Sequence, residues 1–170
     1  MKTEHMQDPN DVAVAFFVGK KADYYQQKWA VGTRRRSGVS WNWAAFLFSG
    51  FWMAYRRMYW QALFVLFAWS VVFFLSITFF PPPLGNKVLD VLNIGIAATL
   101  GWRGNGWYKA HVHTVIERLR ATRLSQEQFQ VAVRRRGGTS WFSVIGLFLC
   151  LLAAIYPLMV LRNIVIETGW

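Results

Sequence analysis

Two long stretches of the chain carry no charged residue, and they limit what the chain can fold into. Met58 to Phe80 is 23 residues long and Trp141 to Leu161 is 21. At about 1.5 Å rise per residue, each would cross the ~30 Å hydrocarbon core of a bilayer as a helix. Uncharged apolar runs of this length are typical of transmembrane helices. The sequence therefore predicts an integral membrane protein.

A third stretch, Leu84 to Trp102, is less apolar because Lys87, Asp90 and Asn93 interrupt it. We still expect it to span, since Lys87 lies near one end and can extend its ammonium group out of the lipid. The predicted fold class is an all-α membrane protein with three transmembrane helices, and with amphipathic or interfacial helices before the first and third spans. The predicted spans are 58–80, 84–102 and 141–161.

The segment before the first span contains two further predicted elements. Residues 1–40 are predicted to be a cytoplasmic N-terminal segment, in which 12–18 is compatible with a strand or a helical lead-in and 22–35 favours an amphipathic helix. Residues 41–57 are rich in aromatic side chains, but Arg56 interrupts the apolar pattern after about 22 Å of helix, which is too short to cross. We predict an interfacial helix that kinks near Gly50. A tilted helix merged with the first span is the alternative.

The segments around the last span are assigned in the same way. Residues 103–140 are predicted to form basic cytoplasmic helices, and 162–170 an outer tail. Glycines at 101, 104 and 106 predict a helix end and a turn there. Ser125 followed by Gln128 predicts a capping box that opens a short helix ending near Arg136. Thr139 or Ser140 is expected to cap the last span.

A short basic motif occurs twice, 100 positions apart, and each copy leads into an apolar run. The copies are Arg34-Arg35-Arg36-Ser37-Gly38-Val39-Ser40-Trp41 and Arg134-Arg135-Arg136-Gly137-Gly138-Thr139-Ser140-Trp141. Arginine binds lipid phosphate groups, and tryptophan prefers the headgroup level of a bilayer. The predicted lipid-anchoring residues are Arg34, Arg35, Arg36, Trp41, Arg134, Arg135, Arg136 and Trp141.

The net charge of +11 admits either nucleic acid or anionic lipid as a partner. The basic residues flank apolar segments and no recognisable nucleic-acid motif accompanies them, so anionic membrane lipid is the expected partner. Of the 19 Lys and Arg residues, 17 lie on one side of the predicted spans, and only Lys87 and Arg162 lie beyond. The positive-inside rule makes that side the cytoplasm. A multi-pass protein with a cytoplasmic N-terminus is predicted.

Several motifs resemble one bacterial membrane-protein family, catalogued as domain of unknown function 2628. The motifs are Val18-Gly19-Lys20-Lys21-Ala22-Asp23-Tyr24-Tyr25, Ser40-Trp41-Asn42-Trp43-Ala44-Ala45-Phe46-Leu47-Phe48, Phe51-Trp52-Met53-Ala54-Tyr55-Arg56-Arg57-Met58-Tyr59, Gly104-Asn105 with Tyr108 and His111, and Gly137-Gly138-Thr139-Ser140-Trp141. Lys21 departs from the usual Asn of the family, and Ser49-Gly50 from a frequent Gly-Pro. The resemblance implies a small protein of the bacterial inner membrane and supplies no reaction, substrate or catalytic residue.

Chemically reactive groups are scarce in the sequence. His111 and His113 are two residues apart, which places them on different faces of a helix, and no cysteine pair accompanies them. We therefore expect no metal site, no cofactor, no catalytic residue and no enzyme activity. The candidate intramembrane polar residues are Lys87, Asp90 and Asn93. They are expected either to form a structural pair, Lys87 with Asp90, or to line a transport path.

These observations predict a membrane-embedded interaction or scaffolding protein that binds anionic lipid at its cytoplasmic face. The alternative is a subunit of a small oligomeric transporter or channel that uses Asp90 and Lys87. In either case a membrane-protein partner or a homo-oligomer is compatible with the sequence.

Overall fold

The computed structural model describes residues 9–34 and 40–168, and within those ranges the ordered elements are helices, with no strand. A 3₁₀ turn at Gly19–Lys21 joins the first two helices. The helices are α1 Pro9–Val18, α2 Ala22–Arg34, α3 Trp43–Tyr55, α4 Tyr59–Phe79, α5 Pro82–Arg120, α6 Gln126–Arg136 and α7 Trp141–Thr168. The all-helical prediction is confirmed for the described chain, and the region 12–18, left open by the sequence, is helical.

The chain divides into two compact units. Unit 1 comprises the described parts of 1–42 together with 102–139, and so contains α1, α2, the end of α5 and α6. Unit 2 comprises 43–101 and the described part of 140–170, and so contains α3, α4, the first half of α5 and α7.

Unit 1 is held together by the contact of α1 with α2 and α6. Phe17 and Val133 are fully buried, as are Tyr108 and Val112 on α5. The predicted capping box at the start of α6 is confirmed: the Gln128 amide N–H donates to Ser125 Oγ at 3.3 Å, and the Ser125 N–H donates to Gln128 Oε1 at 3.1 Å. This box satisfies two donors that the first turn of α6 would otherwise leave without a partner.

The end of α6 lies directly on the backbone of α1. The Gly138 amide N–H donates to the Phe17 carbonyl oxygen at 2.6 Å. A Cβ atom on Gly137 would overlap that carbonyl group and would lie 2.7 Å from Phe17 Cα, so only glycine fits this approach. Gly138 has φ +76°, a left-handed conformation that glycine adopts without steric cost. The end of α6 therefore contacts the backbone of α1 through Gly137 and Gly138 of the second arginine motif.

Unit 2 is built on mutual contacts of α3, α4 and α7. A Schellman motif ends α3: the Met58 amide N–H donates to Met53 O at 2.9 Å and the Arg57 N–H to Ala54 O at 3.0 Å, with Arg57 at φ 60°. The start of α7 lies beside this turn, because the Ser140 N–H donates to Tyr55 O at 2.9 Å. The predicted Ser140 cap is confirmed, since the Ser143 N–H donates to Ser140 Oγ at 3.3 Å.

The first half of α5 runs back along α4. Ser76 Oγ donates to Gly85 O at 2.8 Å, and Trp69 Nε1 donates to Asn93 Oδ1 at 2.7 Å. Earlier residues of α4 therefore pair with later residues of α5, so the two helices are antiparallel. Three consecutive prolines, Pro81 to Pro83, lie where the two helices meet: α4 ends at Phe79 and α5 begins at Pro82. Proline fits the first turn of a helix, where its missing N–H has no intrahelical partner.

The predicted helix end at residues 101–106 is wrong. α5 is a single helix of 39 residues that passes through Gly101, Gly104 and Gly106. Each glycine costs up to about 1 kcal/mol in a helix, but tertiary packing overrides such local preferences. Here Gly101 and Gly104 are buried, and the side chain of Asn105 between the glycines is bonded to other parts of unit 1.

Of the three predicted transmembrane helices, two are long and apolar enough to span, and the third, 84–102, is not. Within the described chain, two helical segments are long and apolar enough to cross a membrane, Tyr59–Phe79 and Trp141–Val160. Residues 84–102 do not join them, because Asn86, Lys87, Asp90 and Asn93 make that stretch too polar. Of the residues in the apolar window of each segment, 11% are buried in Tyr59–Phe79 and 6% in Trp141–Val160. The core helix of a globular protein would instead be mostly buried.

The helix α3 bends at Ser49, next to the predicted kink at Gly50. Ser49 has φ 45° and ψ −124°, which is not helical and which side-chain-bearing residues rarely adopt. On the far side of the bend, Gly50 packs against α4 and α7: an added Cβ would lie 3.5 Å from Val65 and 3.7 Å from Leu147. The interfacial position of residues 41–57 stays a prediction.

This bend predicts a stabilising substitution. Ser49→Gly should raise the free energy of unfolding by about 1 kcal/mol, because glycine adopts positive φ without a Cβ clash. Ser49→Ala is the matched control: it removes the hydroxyl group but keeps the Cβ atom, and should not stabilise. Thermal unfolding in a mild detergent measures both. Equal effects of the two variants would show that the hydroxyl group, and not the backbone, determines the stability at this position.

Candidate functional site

Asn105 is the centre of a buried hydrogen-bond network in unit 1. Its side chain is 2% exposed. Asn105 Oδ1 accepts from Asn42 Nδ2 at 2.9 Å, and Asn105 Nδ2 donates to Ser40 Oγ at 3.0 Å and to Ser40 O at 3.1 Å. Its carbonyl oxygen accepts from Trp29 Nε1 at 3.0 Å. One side chain therefore ties α5 to the segment preceding α3, while its backbone binds α2.

Aromatic rings of α2 and α5 pack beside this network. The Tyr108 ring is fully buried, with its centroid 4.8 Å from that of Tyr25 and 5.9 Å from that of Trp29. Edge and tilted arrangements at these distances are favourable for aromatic pairs. The Ser-Trp-Asn-Trp motif and the Gly-Asn motif, distant in sequence, thus meet around Asn105. Because these side chains are buried, the cluster stabilises unit 1 and does not form an open site.

The predicted lipid-anchoring residues of the first motif are only partly within the described chain. Arg34 is exposed at the end of α2, and Trp41 is half-buried. Arg35 and Arg36 lie outside the described residues. The described part of the motif thus places one arginine on the surface of unit 1, whereas Ser40 of the same motif serves the Asn105 network.

The second motif is described completely. Arg134, Arg135 and Arg136 are all exposed in the last turn of α6, and the Arg134 guanidinium group lies 4.4 Å from the ring centroid of Phe16. This cation–π contact, which the sequence did not predict, fixes the side chain against α1. Trp141 is 70% exposed, with its ring centroid 5.1 Å from that of Tyr55.

A shallow groove lies between the end of α5 and α6. Its volume is about 610 Å³. Leu119, Leu124, Val131 and Ala132 form its apolar surface, Arg135 and Arg136 its basic end, and Glu127 and Gln128 complete it. Val131 is 63% exposed. The groove therefore presents apolar surface and positive charge side by side.

His111 is the titratable group in unit 1 with a clear shift. Its ring packs edge-on against Phe17, with centroids 6.0 Å apart. Burial lowers the pKa of His111 below its usual value, and the positive charge of Arg118 lowers the pKa further. The imidazole ring is therefore held neutral at pH 7 between α1 and α5.

Acidification should consequently destabilise unit 1. Because the pKa of His111 is lower in the folded than in the unfolded chain, its contribution is complete above about pH 6.5 and is lost as the pH falls below that value. His111→Gln should reduce this pH dependence, and His113→Gln, which alters an exposed ring, is the matched control. Thermal unfolding between pH 7.5 and 5.5 tests it, and an unchanged slope in His111→Gln would contradict it.

The three candidate intramembrane polar residues do not form one site. Lys87 and Asp90 are both exposed, and no ion pair joins them in the described chain. Asn93 instead accepts the hydrogen bond from Trp69 and lines a cavity in unit 2. Trp69, the partner of Asn93, was not predicted, because a tryptophan inside an apolar run carries no signal of its own.

The cavity of unit 2 lies among α3, α4, α5 and α7 and has a volume of about 400 Å³. No charged side chain lines it. Its lining residues are Phe46, Leu47, Ser49, Gly50, Phe51, Ala62, Val65, Leu66, Trp69, Asn93, Ile94, Ile96, Ala97, Leu147 and Leu151. The bend of α3 and the Trp69–Asn93 hydrogen bond therefore face the same space.

The side-chain types that can bind a metal ion do not cluster in the described ranges 9–34 and 40–168: no group of three His, Cys, Asp or Glu is found there.

The motifs that meet in the Asn105 network lie within one region of family similarity. The model of the family described as Protein of unknown function (DUF2628) matches residues 10–113, more than half of the chain. The chain belongs to this family. The DUF2628 region contains α1 to α4 and most of α5, and it ends before α6 and α7. No curated protein and no solved structure matches the chain.

The matched DUF2628 region contains residues of both units. Tyr25, Asn42, Asn105 and Tyr108 lie within the matched region, as do Trp69 and Asn93. The second arginine motif lies outside it. The family description supplies no activity, so the function has to be argued from the geometry.

Proposed function

We propose that this DUF2628 protein is a membrane-embedded interaction or scaffolding protein that binds anionic lipid through unit 1. The observation that carries the proposal is the separation of charge from apolar surface between the two units. Of the 19 Lys and Arg residues, 12 lie in the described part of unit 1, whereas unit 2 contains α4 and the apolar part of α7. Large exposed apolar residues line both helices, among them Phe64, Phe67, Phe142 and Leu149. A bilayer is the partner that fits helices with so much exposed apolar surface.

The groove between α5 and α6 supports lipid as the ligand of unit 1. Arg135 and Arg136 offer guanidinium groups, which bind phosphate oxygens through charge-assisted hydrogen bonds. Leu124 and Val131 offer the apolar surface on which the first methylene groups of a lipid chain would lie. Each basic residue near an anionic membrane surface contributes about 1 kcal/mol. A cluster of arginines beside an apolar surface therefore favours anionic over zwitterionic lipid.

The topology that follows places unit 1 on the cytoplasmic side of a bacterial inner membrane. In unit 2 the first half of α5 returns antiparallel to α4, so we propose that it recrosses the bilayer packed against α4, although it is too polar to span by itself. The positive-inside rule then assigns this level, and the basic residues that follow it, to the cytoplasm. A phosphatase fused after Trp170 should be active, and one fused at Ser125 should be inactive. The reverse pattern would contradict this topology.

Lipid preference tests the function itself. The protein is reconstituted into phosphatidylcholine vesicles with a trace of spin-labelled phosphatidylglycerol or spin-labelled phosphatidylcholine, and the fraction of immobilised label is measured. The wild type should prefer phosphatidylglycerol several-fold. Lysines at 34–36 or 134–136 should retain the preference because the charge is unchanged, and alanines should reduce it, most strongly in the double replacement.

The outcome that would contradict lipid binding is an unchanged preference in the double alanine variant. The lysine variants test the alternative that a protein partner recognises the guanidinium groups of the arginines. Lysine reproduces the forked geometry of guanidinium–carboxylate pairs poorly. Loss of a co-purifying protein from the lysine variants, together with intact lipid preference, would assign these clusters mainly to a protein partner.

A further inference from the structure

The cavity of unit 2 has the dimensions and chemistry of a binding site for a neutral molecule. Its volume of about 400 Å³ lies within the range of ~300–1,000 Å³ that is common for ligand pockets. The lining is apolar and aromatic, with Phe46, Phe51 and Trp69 among its residues and with no Asp, Glu, Lys, Arg or His. A charged molecule would lose its hydration there without a compensating partner. The occupant that fits is therefore uncharged.

Three side chains of the cavity lining carry hydrogen-bond donors, namely Ser49, Trp69 and Asn93. The Asn93 carbonyl oxygen Oδ1 accepts from Trp69 Nε1 at 2.7 Å, and this bond orients the amide. An asparagine amide also has two N–H donors on Nδ2. Within the described chain, Asn93 Nδ2 has no acceptor. Asn93 is exposed, so this donor faces hydrocarbon when α5 lies in the bilayer as proposed. An amide N–H without a partner is costly there, and an acceptor oxygen at this point would be stabilising.

The depth of Asn93 indicates which molecules can supply that oxygen. Its partner Trp69 lies ten residues after the start of α4, which corresponds to about 15 Å along the helix. If α4 spans the bilayer as proposed, this is the middle of a hydrocarbon core ~30 Å thick. The ester and headgroup oxygens of bilayer lipids lie at its edges. The acceptor must belong to a lipophilic molecule that carries its own oxygen into the core.

The bend of α3 is a second feature of the same cavity. Ser49 and Gly50 line it, at the point where Ser49 takes a non-helical conformation with φ 45°. Irregular backbone at membrane depth is tolerated where it lines a cavity or is buried in protein. Strained backbone of this kind is concentrated at functional sites. The bend therefore gives the cavity its shape and is independent of the Asn93 observation.

We propose that the unit 2 cavity binds a neutral lipophilic molecule carrying a carbonyl oxygen, which accepts a hydrogen bond from Asn93 Nδ2 while its apolar body packs against Phe46, Phe51 and Leu66. The choice of a carbonyl group rests on the donor that Asn93 presents, and the choice of a lipophile rests on the uncharged lining. The depth argument rests on the proposed membrane placement of α4. Lys87 and Asp90 take no part, since neither lines the cavity.

Benzophenone is a suitable probe because it is a neutral aromatic ketone whose carbonyl group is itself photoreactive. On irradiation the carbonyl oxygen takes a hydrogen atom from a nearby C–H group, and the two carbon radicals join, so the labelled residue gains the mass of one benzophenone. The full-length protein in mild detergent is irradiated with the probe, and the labelled residues are mapped by peptide mass spectrometry. Labelling is expected on cavity residues that are not exposed, such as Leu66, Leu147 and Leu151.

Two variants and their matched controls decide the outcome. Asn93→Leu removes the donor and Ala97→Phe fills the cavity; each should reduce cavity labelling by about tenfold, as expected for loss of one hydrogen bond or of the space. Asn86→Leu and Ala98→Phe change the same helix outside the cavity lining and should label like the wild type. Thermal unfolding confirms that each variant is folded, and Asn93→Leu tests the proposal even if Ala97→Phe does not fold.

Labelling that is equal in wild type and Asn93→Leu, or that spreads over outward-facing residues such as Phe64 and Phe142, would overturn the proposal. Failure of the membrane placement would be seen separately, as extraction of the protein from membranes by alkaline carbonate. A protein that resists extraction but shows no cavity labelling would contradict the ligand site alone.

Discussion

Gly137→Ala is expected to separate α6 from α1 and to destabilise unit 1 by about 3 kcal/mol. The added methyl group would overlap the Phe17 carbonyl group, and Phe17 cannot move away because its side chain is fully buried. The neighbouring hydrogen bond from the Gly138 N–H to Phe17 O would be broken at the same time. Amide hydrogen exchange in α1 and α6 measures the effect, because the loss is local to their contact.

Gly106→Ala is the matched control for this substitution. Gly106 lies inside α5 in unit 1, and a Cβ atom there would meet no other atom within 4 Å. Alanine in a helix interior is more favourable than glycine by roughly 0.5–1 kcal/mol, so this variant should be slightly stabilised. If Gly137→Ala exchanged as slowly as the wild type, the close approach of α6 to the α1 backbone would be wrong.

Asn105→Leu is expected to cost about 2–4 kcal/mol, because it removes several hydrogen bonds from a buried polar network. Leucine is similar in shape but accepts nothing from Asn42 Nδ2 and donates nothing to Ser40. Asn105→Asp should be nearly as damaging. Aspartate keeps an acceptor for Asn42 but presents an oxygen to the Ser40 carbonyl group, where the native side chain donates.

The control for Asn105 is Asn86→Leu, which changes an exposed asparagine on the same helix and should alter stability by less than about 0.5 kcal/mol. Chemical unfolding in mild detergent, followed by tryptophan fluorescence, compares the variants. The fluorescence of the ten tryptophans includes a signal from unit 1, because Trp29 donates to Asn105 O. Equal unfolding midpoints for Asn105→Leu and Asn86→Leu would show that the buried network does not stabilise unit 1.

Local signals predicted those parts of the fold that depend on neighbouring residues. The Ser125 and Gln128 capping box and the Ser140 cap were predicted because both are formed within one turn of helix. The two long apolar helices were predicted because their length and composition can be read directly from the sequence. The bend in α3 was expected one residue from its position at Ser49.

Features that depend on distant contacts were not predicted. The glycines of 101–106 read as a helix end, yet α5 continues because Asn105 and Tyr108 are held by residues about 65 and 80 positions earlier in the chain. The contact of Arg134 with Phe16 joins residues more than 100 positions apart. A triplet of arginines looks the same in sequence whether it faces lipid or packs on a ring, so its surroundings had to come from the structure.

The central claim, that α4 and α7 lie in a bilayer, is tested most directly with the native cysteine. Cys150 lies near the middle of the apolar part of α7, and its thiol is exposed on the protein surface. Protein packing therefore does not protect it, and a bilayer would. The membrane vesicles are made permeable so that a membrane-impermeant maleimide reaches both faces of the bilayer. The reagent should leave Cys150 unmodified before detergent and denaturant are added, and should modify it fully afterwards. A cysteine introduced at exposed Arg123 should react in both conditions. Rapid modification of Cys150 in intact membranes would contradict the account.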